Sequence, residues 1–227
     1  MKYGDHLAAP RTFDIFSNKK IIIREITGTY PKSIIATFCE DIMLFNRSNI
    51  VIIEKPGSTI SLKYILGILN SNVMAYYFVK YTPKAVRQMF PKLILQDLRR
   101  FPIRISDNQL PLIEKVDCML DGYNRFHRAT DSLIQLLKSK WSHLTITAKI
   151  SAWDTLSFEE FRKELEKQKI KLSLQEQAEW LDYFSGQKQK AEAILFFLDK
   201  TDKEIDQMVY ELYGLTGEEI KIIEGME

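Results

Sequence analysis

Apolar residues recur at two different periods along this chain, and the change of period divides it. Before residue 60 they come in short runs rich in β-branched side chains, at residues 20–27, 33–38 and 49–53, bounded by Gly28, Pro31 and the Pro56-Gly57 pair. Such runs fit a half-buried pleated surface and predict strands of a twisted, mainly antiparallel sheet. From residue 61 the spacing becomes helical. Leu62, Ile65, Leu66, Leu69, Val73, Tyr76 and Tyr77 fall on one face, which predicts a single amphipathic helix over 61–79 packed across the sheet. The loops at 27–32 and 80–92 are then left to reach solvent.

Past residue 105 the pattern is helical throughout. Leu112, Val116, Met119, Tyr123, Phe126, Thr130, Leu133 and Leu137 follow alternating steps of four and three, the seam of a long helix whose partner is another helix of this chain or a second subunit. After an ambiguous stretch at 144–150, four Ser/Thr-x-x-Glu pairs follow: Ser157 with Glu160, Ser173 with Glu176, Thr201 with Glu204, and Thr216 with Glu219. Each can place a hydroxyl on the free amides of a helix start and return a carboxylate to the cap, so the last third reads as a run of short helices. Gly214 is placed to end the helix carrying Val209, Tyr210 and Leu212. The expected architecture is α+β, with a domain at 1–105 and a helical region at 106–227 that spaces it from, or docks it to, another part.

Charge sharpens this division. Residues 1–105 hold 16 Lys+Arg against 7 Asp+Glu, and residues 106–227 hold 16 against 23, so the total of +2 conceals a basic half and an acidic half. The excess sits on Pro-bounded loops: Lys80, Lys84, Arg87 and Lys92 surround Pro83 and Pro91, with Tyr30, Tyr81 and Phe90 as nearby aromatics. A surface of that kind concentrates phosphate-rich ligands by long-range attraction, and nucleic acid is the reading it favours.

Catalytic chemistry is sparse. There are two cysteines, Cys39 and Cys118, in no Cys-x-x-Cys pair, and three dispersed histidines, so no metal-ligand spacing appears and a reducing, cytoplasmic setting is expected. The longest apolar run is interrupted by Gly67 and by Asn70-Ser71-Asn72, which makes it a core helix and not a membrane span. No Gly-rich phosphate loop or Gly-x-Ser-x-Gly elbow is present. The one nuclease-like hint is Glu54-Lys55 at a strand end with Asp41 upstream, which a plain turn also explains. Glu164 and Glu166 with Lys163 and Lys167 read as a charged, solvated helix face, and His127 as a structural or exposed residue.

Several of these segments together resemble a known family. Leu7-Ala-Ala-Pro-Arg11, Lys20-Ile-Ile-Ile-Arg24, Ser61-Leu-Lys-Tyr64 leading to Leu69-Asn-Ser-Asn72, Phe90-Pro-Lys-Leu93 and Asp97-Leu-Arg-Arg-Phe-Pro-Ile103 are similar, in this order, to the TaqI-like C-terminal specificity domain. The segment 201–216 is similar to the ending of the same proteins. The resemblance implies the target-recognition region of bifunctional restriction-modification enzymes, whose usual reaction is adenine N6 methylation. It also implies duplex DNA and the methyltransferase and endonuclease domains of the parent enzyme as partners. Those domains would use S-adenosylmethionine, and magnesium for cleavage, but the donor-binding loop and the Asn-Pro-Pro-Tyr-type motif for a flipped adenine are absent from this sequence. The chain is therefore expected to recognise DNA as a fragment or separate specificity part, with no cofactor and no catalysis of its own.

A recognition surface needs cations on phosphates and side chains that reach base edges. Arg24, Lys32, Lys80, Lys84, Arg87 and Lys92 are the candidate cations. Arg87 is the preferred base reader, because a guanidinium grips guanine in bidentate fashion, while lysines suit phosphate. Thr27, Thr29 and Tyr30 add hydrogen-bonding groups at a strand end, although turn formation would also place them there. For Arg24, set in a strand, a solvated charge is the simpler account. A helical interaction module and a metal-dependent nuclease built on Asp41 and Glu54 stand as alternatives.

Overall fold

The structure is a computed structural model that describes residues 12–46, 48–82 and 91–225. It divides into two compact units, one formed by Met1–Asp117 together with Lys203–Glu227, the other by Cys118–Asp202.

In the first unit a short helix α1 (Asp14–Ser17) leads into strands β1 (Lys20–Arg24), β2 (Ala36–Cys39) and β3 (Asn49–Ile53). They form an antiparallel sheet in the order β2-β1-β3, with Ile22 opposite Thr37 on one side and Val51 on the other. The period-two pattern has its expected effect: Ile21 and Ile23 of the central strand are wholly buried. Lys20 is also wholly buried, and its ammonium donates to the carbonyls of Phe16, Asn18 and Asp41 at 3.0, 2.9 and 2.7 Å, which satisfy all three of its N–H groups. Sheet and helix α2 (Leu62–Asn70) share a core with α3 (Asn72–Tyr81), the short α4 (Leu95–Leu98) and the first turns of α5 (Leu110–Lys140).

The single helix expected over 61–79 is two. The apolar spacing runs on across the break, but Ser71 is extended and caps α3, accepting from the Met74 amide at 3.5 Å while its own hydroxyl donates to the Ile68 carbonyl at 2.7 Å. Flanking it, the Asn70 carboxamide pairs with the backbone of edge strand β2, accepting from the Ala36 N–H at 3.1 Å and donating to the Ala36 carbonyl at 3.0 Å. The Asn72 amide donates to Asp206 at 2.8 Å. Hydrogen bonding therefore overrides periodicity at all three residues of the Asn-Ser-Asn motif.

The second unit is helical. The remainder of α5 is joined by α6 (Ala148–Ser151), a 3-10 turn at Trp153–Thr155, α7 (Phe158–Lys167) and part of α8 (Leu174–Tyr213) around Leu133, Leu137, Trp153, Phe161, Trp180 and Phe184. The long helix expected from the seam is present, with Leu133 and Leu137 buried, but Tyr123 is exposed. Gly122 occupies its place because Leu198 comes so near that a Cβ there would lie 2.6 Å from it. Glu164, expected on a solvated face, is instead buried and lies 2.6 Å from Lys167 and 3.7 Å from Lys149, which closes the α6 side of α7.

The last third is not a run of short helices. Three of the four capping pairs form, at Ser157, Ser173 and Thr216, but Thr201 lies inside α8, 40 residues long, with its hydroxyl bonded to the Phe197 carbonyl at 2.9 Å. A threonine that can reach the carbonyl four residues back has no need to cap, and nothing between Leu174 and Tyr213 breaks the helix. Gly214, at φ 68°, ends it as expected: its N–H meets the Glu211 carbonyl at 3.0 Å and the next N–H meets Tyr210 at 3.1 Å, a Schellman closure. Helix α9 (Gly217–Ile223) then packs on α3 in the first unit.

Candidate nucleic-acid interface

Arg24 and Lys92 are exposed cations placed where the chain leaves the sheet. Arg24 ends β1 with its side chain in solvent and its N–H on the Ile35 carbonyl at 3.0 Å. Beyond it the chain stays extended and changes partner. Glu25 accepts from the Leu93 N–H at 2.9 Å, Ile26 bridges antiparallel to Lys92, and the N–H and hydroxyl of Thr27 reach the Pro91 carbonyl at 3.2 and 3.3 Å. Two segments remote in sequence, 24–27 and 91–93, are thus stitched side by side by backbone hydrogen bonds. Thr27 is half-buried by this role, which leaves its hydroxyl occupied within the fold.

From there a closed loop projects. The Gly28 N–H meets the Ser33 carbonyl at 2.8 Å, and a Cβ on Gly28 would stand only 2.6 Å from the Lys32 carbonyl, so the closure requires glycine. Thr29 and Tyr30 are exposed at its tip. Burial of part of the Tyr30 ring, reinforced by Tyr76 and Glu224, holds its phenol above the ordinary value. Lys32 is half-buried and ion-paired with Asp206 at 2.9 Å. Lys92 is exposed, with Glu25 at 3.4 Å, a solvent-screened contact that leaves its charge available.

Lys80 is exposed in the last turn of α3. Next to it the Tyr81 ring lies tilted against Tyr77 at 5.0 Å, and Tyr77 meets Phe101 edge-on at 5.6 Å while donating its hydroxyl to the Arg100 carbonyl at 3.2 Å. This contact ties Lys80 to Arg99 and Arg100, both exposed and absent from the cations expected in the site. The doublet itself was the available signal. Lys84 and Arg87 lie outside the described residues.

The alternative chemistry gains no geometry. Asp41 contributes its backbone carbonyl to Lys20, Glu54 is an exposed residue just past β3, and among the described residues no three His, Cys, Asp or Glu side chains are grouped to hold a metal. His127 is exposed on α5. No helix among the described residues is long and apolar enough to cross a membrane.

Comparison with known proteins adds three findings. Residues 1–103 match the family model described as the TaqI-like C-terminal specificity domain. Residues 105–209 match a family described as a domain of unknown function, DUF8810. A protein of Methanocaldococcus jannaschii assigned as a type II restriction enzyme and methyltransferase is 29% identical over 108 residues, which is 47% of this chain and 9% of that protein. The chain thus matches only a small part of that relative's length. No solved structure matches the chain.

Proposed function

We propose that residues 1–103, which match the TaqI-like C-terminal specificity domain, read the sequence of duplex DNA for a restriction-modification enzyme that methylates adenine. The helical residues space this domain from, or dock it to, the methyltransferase and endonuclease parts, in the cytoplasm. The observation that carries the reading is the backbone stitching of 24–27 to 91–93. It sets Arg24 and Lys92 beside a loop tip bearing Thr29 and Tyr30, an arrangement in which cations fix register on phosphates while polar and aromatic groups meet base edges. S-adenosylmethionine and magnesium belong to the catalytic parts of the parent enzyme. The sequence lacks the donor-binding loop and the adenine-pocket motif, so no residue of this chain is assigned to either and no catalytic step is derived through them.

Fluorescence anisotropy of the intact chain on a randomised duplex library and on the duplexes it enriches tests the proposal. Affinity should fall steeply with salt as counterions are displaced. Lys92→Ala should weaken enriched and random duplexes alike and reduce the salt slope by about one ion. On sequence grounds Arg87→Ala should cost roughly 1–3 kcal/mol on the enriched duplex and much less on random DNA. Absence of salt-sensitive duplex binding, by a chain that is folded, refutes the reading.

A second reading, a helical interaction module, draws on one observation: Leu195, Phe196 and Phe197 on α8 are exposed, Phe196 by 72%. Such a turn on a soluble surface marks a contact site. If it mediates self-association, Phe196→Glu should lower the mass seen by light scattering at high protein concentration.

A further inference from the structure

The loop at 28–33 is held from far along the chain. Asp206, on the part of α8 that belongs to the first unit, places one carboxylate oxygen 2.8 Å from the Asn72 amide at the start of α3 and the other 2.9 Å from the Lys32 ammonium. The carboxylate side chain is only 7% exposed, so it cannot swing to a new partner without leaving the helix amide bare, whereas Lys32 at 41% reaches it from the solvent side. A negative charge at a helix N-terminus is favourable in itself, which fixes Asp206 before Lys32 is considered. The same segment touches the loop again. Gly225 lies against Tyr30, where a Cβ would stand 3.7 Å from the ring edge, and Tyr210 joins Asn72 to Glu224 through hydrogen bonds of 3.3 Å on each side.

We propose that Asp206 is a positioning residue for DNA sequence selection: it clamps Lys32 to the start of α3 and so fixes the loop tip that carries Thr29 and Tyr30. The inference rests on the DNA-recognition reading for its functional half, while its structural half stands without DNA. Lys32 then acts as an anchor and not as a phosphate contact, and the phosphate contacts fall to its exposed neighbours. An ordered loop presents donors at fixed places over base edges; a loosened one still attracts DNA but discriminates less.

Two variants of the intact chain separate the possibilities. Asp206→Asn keeps an oxygen for the Asn72 amide and removes the charge that holds Lys32. Lys32→Gln removes the cation from the solvent side and leaves Asp206 on its helix. In both, the Gly28 amide, which closes the loop on the Ser33 carbonyl, should exchange with deuterium about tenfold faster, as expected for loss of one charge-assisted hydrogen bond, while far-ultraviolet circular dichroism is unchanged. The preference for enriched over random duplex should shrink by a similar factor with the salt slope intact. Unchanged exchange in the loop overturns the proposal. So does a Lys32→Gln variant that keeps its loop protection and loses about one ion from the salt slope, because Lys32 would then be a phosphate contact. If Asp206→Asn does not fold, Lys32→Gln decides. If the wild-type chain enriches no duplex, the DNA reading fails, and loop exchange alone judges whether Asp206 positions the loop.

Discussion

Asn70 offers a measurement of how much one side chain contributes to holding the sheet edge. Its carboxamide makes two hydrogen bonds to a single residue, at 3.1 Å to the Ala36 N–H and 3.0 Å to the Ala36 carbonyl, and so replaces the neighbour that edge strand β2 lacks. Each bond should contribute about 1 kcal/mol, giving about 2 kcal/mol for the pair. Alanine is a better helix former than asparagine, and at the last residue of α2 that returns roughly 0.5 kcal/mol. Asn70→Ala should therefore destabilise this edge by about 1.5 kcal/mol. Asparagine is needed as both donor and acceptor, so Asn70→Asp should do no better at neutral pH, where the carboxylate repels the Ala36 carbonyl. It should recover in part once the pH falls below the pKa of the new carboxyl, which then regains a proton to donate. Native-state hydrogen exchange at the Ala36 amide is the assay, since it reads the local opening directly in a chain of two compact units, where a single unfolding curve need not be two-state. A loss under about 0.5 kcal/mol, or an aspartate variant as protected as wild type at pH 7, would refute the account.

Two further outcomes follow from packing and charge. Gly67→Ala should destabilise the first unit by about 1–3 kcal/mol despite the gain in helix propensity, because its new Cβ would lie 3.0 Å from Val116 and 3.1 Å from Leu112, and a Gly67→Ala chain with an unchanged urea midpoint would show that α5 yields freely. Glu160, Glu176 and Glu219 each have a lowered pKa, chiefly from the backbone amide of the capping residue Ser157, Ser173 or Thr216. Their contribution to stability is present above the unfolded carboxyl value near 4.5 and is lost as pH falls through the lowered folded values, so Gln at all three should flatten the acid limb of a pH–stability profile; an unchanged limb would mean that the caps do not set it.

How much of this was legible depended on the range of the interaction. The strands were, because β-branched alternation is local and Ile21 and Ile23 simply point inward. The break at Ser71 was hidden, since Leu69 and Val73 keep the helical period across it and only the hydrogen bonds of Asn70, Ser71 and Asn72 reveal it. Thr201 misled for the opposite reason: its spacing to Glu204 is that of a cap, yet an uninterrupted helix offers its hydroxyl a carbonyl first. In the candidate site, composition pointed to the segments at 27–32 and 80–92, but the union of 24–27 with 91–93 through Ile26 and Lys92 is a backbone pairing that no local pattern encodes. The link from Lys32 to Asp206 spans 174 positions and had no signal at all.

The first unit is made from both ends of the described chain, with the whole helical unit intervening, and this sets an order of events in time. During synthesis the strands and α2 emerge long before residues 203–225, and at roughly 5–20 residues per second the wait is on the order of ten seconds or more. Through that interval Lys32 and the start of α3 are without Asp206, and α3 without α9. Closing so long a stretch of chain costs little additional entropy, because the cost grows only with the logarithm of its length, but it delays the final contacts. A nascent chain of this kind can collapse its sheet early yet completes the loop that carries Thr29 and Tyr30 last, so binding competence should arrive as an abrupt late step, after the second unit has already been made.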